Sequence, residues 1–185
     1  MFCPSTRTTG CLSAAKASLS INEKNSERGK LKASLKGLDG ATTQSDFGNP
    51  VSGSTLYNLC LYNGAGDLVE DLVVDRAADR CGTKGKDCWK AKGEKGWSYK
   101  DPLAASDGVK KIAAVSGAEG RGKIQVQAGN NSKKGQVSMP VGIAEALQNE
   151  TSATIQVRID DGVCVEATLT NVKKADGLQF KAKTP

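Results

Sequence analysis

Apolar and polar residues alternate with period two along most of this chain. Lys30-Leu31-Lys32-Ala33-Ser34-Leu35-Lys36 is a clear run of this kind. Such alternation puts one side of a strand against a core and the other in water. It predicts strands over 17–21, 30–36, 54–62, 67–74, 97–100, 109–115, 122–128, 136–139, 153–159, 163–170 and 178–182, separated by Gly, Asn and Asp clusters. One stretch, Val141 to Asn149, reads as a helical turn, because Ile143-Ala144-Glu145-Ala146-Leu147 has fair helix propensity.

A short repeat runs through this pattern. Arg28-Gly29-Lys30-Leu31-Lys32-Ala33 resembles Arg121-Gly122-Lys123-Ile124-Gln125-Val126. Each copy precedes a hairpin, 54–74 in the first half and 153–170 in the second. The expected fold is all-β: a disulfide-braced β-sandwich, jelly-roll or Ig-like, with two pseudo-repeated halves stacked face to face. Residues 11–185 are expected to form one sandwich domain. Residues 1–10, polar and turn-rich, read as a flexible N-terminal arm.

The register of the second hairpin follows from its apolar residues. A two-residue loop, Asp161-Gly162, would send the apolar sets of its strands to opposite faces. A three-residue loop, Asp160-Asp161-Gly162, pairs Ile159 with Val163, Val157 with Val165, Ile155 with Ala167 and Ala153 with Leu169. All eight then share one face, so this register is expected. Gly162 would take the left-handed position of a G1-bulge turn. Cys164 then points away from the core beside Arg158, and Cys60 likewise leaves the face that carries Leu59 and Leu61.

Composition narrows the chemistry. Among 185 residues there are six cysteines and no histidine. Ser-His-Asp hydrolysis, Cys-His nucleophiles and His-built zinc sites are therefore excluded. The cysteines contain no C-x-x-C pair, which points to disulfides and an oxidising compartment. Six cysteines allow 15 pairings. The strand faces favour Cys60–Cys164, the short Gly-Lys loop favours Cys81–Cys88, and Cys3–Cys11 remains by elimination. Hydrophobic residues make up 38% and glycines number 21, so the core is modest and disulfides would supplement it. No apolar run is long enough to cross a bilayer, and Met1-Phe2-Cys3-Pro4 does not look like a signal peptide. No cofactor and no metal site is expected. The acidic residues Glu70, Asp71, Asp160, Asp161 and Glu166 are the material for a paired-carboxylate mechanism, but nothing in the spacing sets two of them across a cleft.

The net charge is +6, and residues 80–100 carry seven cationic side chains against Asp87 and Glu94. Trp89, Trp97 and Tyr99 are interleaved with Lys90, Lys92 and Lys95 there. This makes the segment 84–100 a candidate site for a glycan or other acidic polymer, with aromatics stacking and lysines meeting anions. The competing expectation is that the aromatics pack into the core.

Several motifs resemble a domain found in large exported proteins of deltaproteobacteria. They are Asp46-Phe47-Gly48 with Pro50, Leu59-Cys60-Leu61-Tyr62, Cys88-Trp89-Lys90, Gly96-Trp97 with Tyr99-Lys100-Asp101, Asp107-Gly108-Val109, Gly162-Val163-Cys164 and Phe180-Lys181-Ala182-Lys183. Val165, and the loop Ser138-Met139-Pro140-Val141-Gly142, depart from that pattern. The resemblance implies a secreted β-domain of a bacterial surface or secreted protein and no reaction. The expected function is therefore a non-catalytic extracellular structural or interaction module. One alternative is a carbohydrate- or polyanion-binding module. Another is the subunit of an extracellular fibre, in which the arm adds to a neighbour's sheet edge and the partner is the chain itself. Nucleic acid is not the expected partner.

Overall fold

The computed structural model describes residues 3–185. The fold is all-β. Its strands are β1 (Leu12–Asn22), β2 (Lys30–Leu38), β3 (Tyr57–Tyr62), β4 (Leu68–Val74), β5 (Arg80–Cys81), β6 (Lys86–Asp87), β7 (Trp89–Ala91), β8 (Gly96–Lys100), β9 (Val109–Val115), β10 (Lys123–Gly129), β11 (Ala153–Ile159), β12 (Cys164–Leu169), β13 (Asn171–Ala175) and β14 (Gln179–Lys183). A single helical turn, α1 (Ile143–Ala146), falls inside the stretch expected to be helical. The predicted strand at 136–139 does not form; Gln136 makes only an isolated bridge to Asn131.

One hydrogen-bonded path runs β4-β3-β11-β12-β1-β2-β10-β9-β8-β7, with β14 added to β1 and β13 to β14. β1 is the junction. Leu12 and Ser13 pair in parallel with Val165 and Glu166 of β12. From Ala14 onward the same strand pairs with β2, and from Ser18 to Asn22 its other edge takes β14. The path curls over one core, and residues near its two ends meet across it. Tyr57 of β3 packs on Trp89 of β7 with ring centroids 4.6 Å apart, and Trp89 packs on Tyr99 at 5.0 Å. The Tyr57 hydroxyl donates to the Phe47 carbonyl at 2.6 Å, and burial pushes its pKa far upward.

The two repeat copies do not head separate stacked halves. They open β2 and β10, which pair with each other antiparallel, Leu35 opposite Ile124. Ile124 stands to Ala114 as Leu31 stands to Ile21. The hairpins that follow, β3–β4 and β11–β12, likewise meet through β3 and β11. Each half thus gives one hairpin to β4-β3-β11-β12 and one to β1-β2-β10-β9. The halves interleave because each repeat strand buries its Leu or Ile side in the core they share.

The β11–β12 register is the expected one, with Ile155 opposite Ala167 and Val157 opposite Val165. The turn differs in one respect: the left-handed residue is Asp161, at φ 56°, and not Gly162. Gly162 is needed for close approach. A Cβ there would lie 2.5 Å from the Asp46 carbonyl oxygen and 2.9 Å from Ile159 Cγ2.

All six cysteines are in disulfides: Cys3–Cys60, Cys11–Cys164 and Cys81–Cys88. The Cys81–Cys88 pairing is as expected, whereas Cys60–Cys164 and Cys3–Cys11 are corrected. Cys60 and Cys164 do share the outer face of one sheet segment, but β11 lies between them, with Gln156 opposite Cys60 and Arg158 opposite Cys164. Two strand intervals are about 9.6 Å, beyond the roughly 7 Å Cα reach of a disulfide. Each cysteine is met instead by one from the N-terminal segment.

That segment was expected to be a flexible arm; Met1 and Phe2 lie outside the described residues, and the rest is fastened down. Thr8 donates its backbone N–H to the Gln156 side chain at 3.1 Å and accepts from it at 2.7 Å. Thr6 bridges to Asp67, and Leu68 donates to the Ser5 carbonyl at 3.2 Å. The arm covers the polar face of its own sheet because Gln156, Thr154 and Cys60 present partners there that would otherwise be solvated.

Candidate polyanion interface

Side chains alternate on β7 and β8, and this separates the predicted ligand residues. Trp89, Trp97 and Tyr99 point inward and are 2%, 9% and 2% exposed. Trp97 Nε1 donates to the Gly48 carbonyl at 3.0 Å. None of the three offers a ring face to a ligand, so the stacking role is corrected: the rings close the core where the curled path meets itself. Lys90 points outward opposite Ser98. Lys92 and Lys95 sit in the β7–β8 turn, where the Lys95 N–H donates to the Lys92 carbonyl at 3.2 Å.

The larger basic feature lies outside the predicted segment. The eight strands β13, β14, β1, β2, β10, β9, β8 and β7 contain no Asp or Glu. Their outward positions form rows of lysine, serine and glutamine. In one row Lys16 faces Lys36, and Lys36 faces Lys123. In the next, Lys183, Ser18, Ser34, Gln125, Ala113, Ser98 and Lys90 follow one another across the ladder. A third runs Lys174, Lys181, Ser20, Lys32, Gln127, Lys111, Lys100. At about 4.8 Å per strand interval, the six intervals of that row span about 29 Å. Among the described residues only Lys174 of these lysines forms a salt bridge, with Asp176 at 3.1 Å. Lys30 extends the face, and near it the Lys110 ammonium is held below its ordinary value by partial burial and then by Lys134 and Lys30.

Sequence reasoning missed this face because it weighed charge along the chain. The visible signal was the lysine at alternate positions of 30–36, which puts the charges on one side of a strand. That sheet neighbours multiply this side could not be read without the strand order.

Two concavities lie on this surface. A shallow one of about 320 Å³ includes Lys100, Lys111, Gln125 and Gln127. A deeper cleft of about 490 Å³ opens at the β7 edge, between the Cys81–Cys88 loop and Ser98, Lys100, Pro102 and Leu103. Ser98 and Lys100 line both, so the two adjoin.

The opposite sheet segment carries the acids. Asp71, Cys60, Gln156 and Glu166 occupy one cross-strand row. Asp71 and Glu166 are thus three strand intervals apart, about 14 Å, wider than the roughly 5–9.5 Å between the two carboxylates of a glycosidase. The arm lies on the row between them. Burial raises the pKa of neighbouring Glu70. Among the described residues no group of three or more His, Cys, Asp or Glu side chains is placed to hold a metal ion, and no helix is long and apolar enough to cross a membrane.

No family model, no curated protein and no solved structure matches this chain.

Proposed function

We propose that this chain is a secreted, non-catalytic interaction module that binds an acidic polysaccharide on its lysine face. The observation that carries the reading is the row Lys16–Lys36–Lys123 within eight strands free of carboxylates. Like charges placed directly opposite on a sheet destabilise it. Carboxylates at a few of these positions would relieve the repulsion, and a polyanion relieves it from outside. The export reading is supported by three disulfides, which persist in oxidising compartments.

Polysaccharide is favoured over nucleic acid on two grounds. The strands of this face contain lysine and no arginine, and arginine is the residue that matches phosphate and base edges bidentately. The aromatics that would stack bases are buried. The fibre reading loses the feature that motivated it, since the arm is engaged on its own sheet.

Heparin chromatography over a salt gradient tests the proposal. The protein should be retained and elute later than its net charge of +6 would give. The triple variant K32E/K36E/K123E should elute near the void. Retention that ignores these substitutions contradicts the assignment. Displacement by duplex DNA more readily than by a sulfated or uronate polymer of equal charge would move it to nucleic acid.

A further inference from the structure

The cleft at the β7 edge combines features that the open face lacks. Lys84, Lys86, Lys90 and Lys100 surround it, and Asp87 is the one carboxylate on its lining. Pro102 and Leu103, which is 45% exposed, give the rest of the wall its apolar part, beside Gly82, Thr83 and Ser98, with the buried Cys81–Cys88 disulfide beneath. Apolar walls with a few placed charges are the make-up of a site for a small ring, and about 490 Å³ is the size of such sites.

The wall carrying Lys84 and Lys86 is rigid for identifiable reasons. The disulfide closes an eight-residue loop, Arg80 pairs with Asp87 and Cys81 with Lys86 across β5–β6, and Arg80 Nη1 donates to the Gly85 carbonyl at 3.0 Å. Gly82, at φ 71°, lets the loop close against Pro102, whose Cγ would lie 3.2 Å from a Cβ there. A preorganised wall spends less of the binding energy on ordering the loop.

We propose that this cleft is the subsite for a single acidic sugar unit of the polymer. The ring lies against Pro102 and Leu103, and its carboxylate or sulfate meets the ammonium groups of Lys84, Lys86 and Lys100. Charge-assisted hydrogen bonds of this kind are short and strong, and the apolar wall holds the C–H face of the ring. The proposal rests on the polysaccharide reading above and adds a place where a short oligosaccharide binds by shape. On the open face only a long polymer accumulates enough charge to stay. Ser98 and Lys100 connect cleft to face, so the chain can pass from one to the other.

The experiment uses the full chain and two probes, a heparin-derived tetrasaccharide followed by calorimetry and backbone NMR, and full-length heparin on a column. Wild type should bind the tetrasaccharide, with the amide signals of Gly82, Lys84, Ser98 and Leu103 shifting most. K84E/K86E, on an exposed loop, should weaken the tetrasaccharide at least tenfold while the polymer stays on the column. K32E/K36E/K123E should do the reverse. If both variants weaken both probes equally, or if wild type retains the polymer and ignores the tetrasaccharide, the cleft is not a subsite, although the face reading stands. If wild type retains neither, the face reading has failed and takes the cleft with it. Near-native circular dichroism and an unchanged unfolding midpoint for K84E/K86E, or K84Q/K86Q in its place, confirm that the variant reports on binding.

Discussion

Lys36 and Lys123 stand directly opposite one another on the paired strands β2 and β10, with Lys16 opposite Lys36 on the other side. A face built for stability alone would alternate lysine with glutamate at such positions. Cross-strand opposite charges contribute roughly 0.2–1 kcal/mol per pair and like charges cost a comparable amount. The fold gives up stability on the surface where a polyanion would return it.

This trade is measurable. Lys123→Glu should raise the stability of the free protein by about 0.5 kcal/mol at low ionic strength, read as a shift in urea midpoint at constant slope. The same substitution should weaken heparin retention. Added salt should stabilise wild type more than the variant, since screening relieves only the repulsive row. A variant less stable than wild type at low salt would mean that the lysines do not repel one another as described.

The three disulfides should differ in worth. Cys11–Cys164 spans 153 residues and Cys81–Cys88 spans 7. The chain-entropy model assigns them about 5 and about 2 kcal/mol. Replacing Cys11 and Cys164 by alanine should therefore lower the denaturant midpoint by more than replacing Cys81 and Cys88. Equal losses would show that the arm contributes little constraint beyond its hydrogen bonds to Gln156.

Part of this architecture was legible in the chain. Alternation located most strands, and burial of one face was enough to set the β11–β12 register. The all-β class followed from the same periodicity. β13 escaped because a bulge between Val172 and Lys174 breaks its alternation. The Cys60–Cys164 pairing failed for a topological reason: the face of each cysteine was read correctly, but an intervening β11 is invisible in sequence. The fate of Trp89, Trp97 and Tyr99 was open for the same reason, since what they pack on, Tyr57 and the Gly48 loop, is remote in the chain. The lysine face is a property of strand order and emerges only once β2, β10, β9 and β8 are neighbours.

Trp89 is sandwiched between Tyr57 and Tyr99 at 2% exposure. Trp89→Ala should cost about 3–5 kcal/mol, the range for an aromatic truncated in a packed core. Heparin retention of whatever fraction remains folded should be unchanged. Trp97→Phe is the milder probe, since it keeps most of the ring and leaves the Gly48 carbonyl without its donor, at about 1–3 kcal/mol. Lost polymer binding at unchanged stability in either variant would restore the stacking role that burial argues against.

Lys110 links the face to pH. Partial burial, Lys134 and Lys30 all disfavour its ammonium, so its folded pKa lies below the ordinary lysine value of 10.5. A lysine depressed by folding contributes stability that is fully present above its unfolded pKa and is lost as pH falls through the folded one. At neutral pH the charged side chain is therefore a net cost, and Lys110→Gln should be more stable than wild type. That advantage should shrink as pH rises through the folded pKa of Lys110 and vanish above 10.5. On the polysaccharide reading a bound polymer would supply the missing counter-charge, so the pKa should rise toward its ordinary value on heparin binding, which direct NMR titration of the Lys110 side chain would follow. A variant whose advantage is the same at neutral and alkaline pH would place the origin in packing rather than in charge.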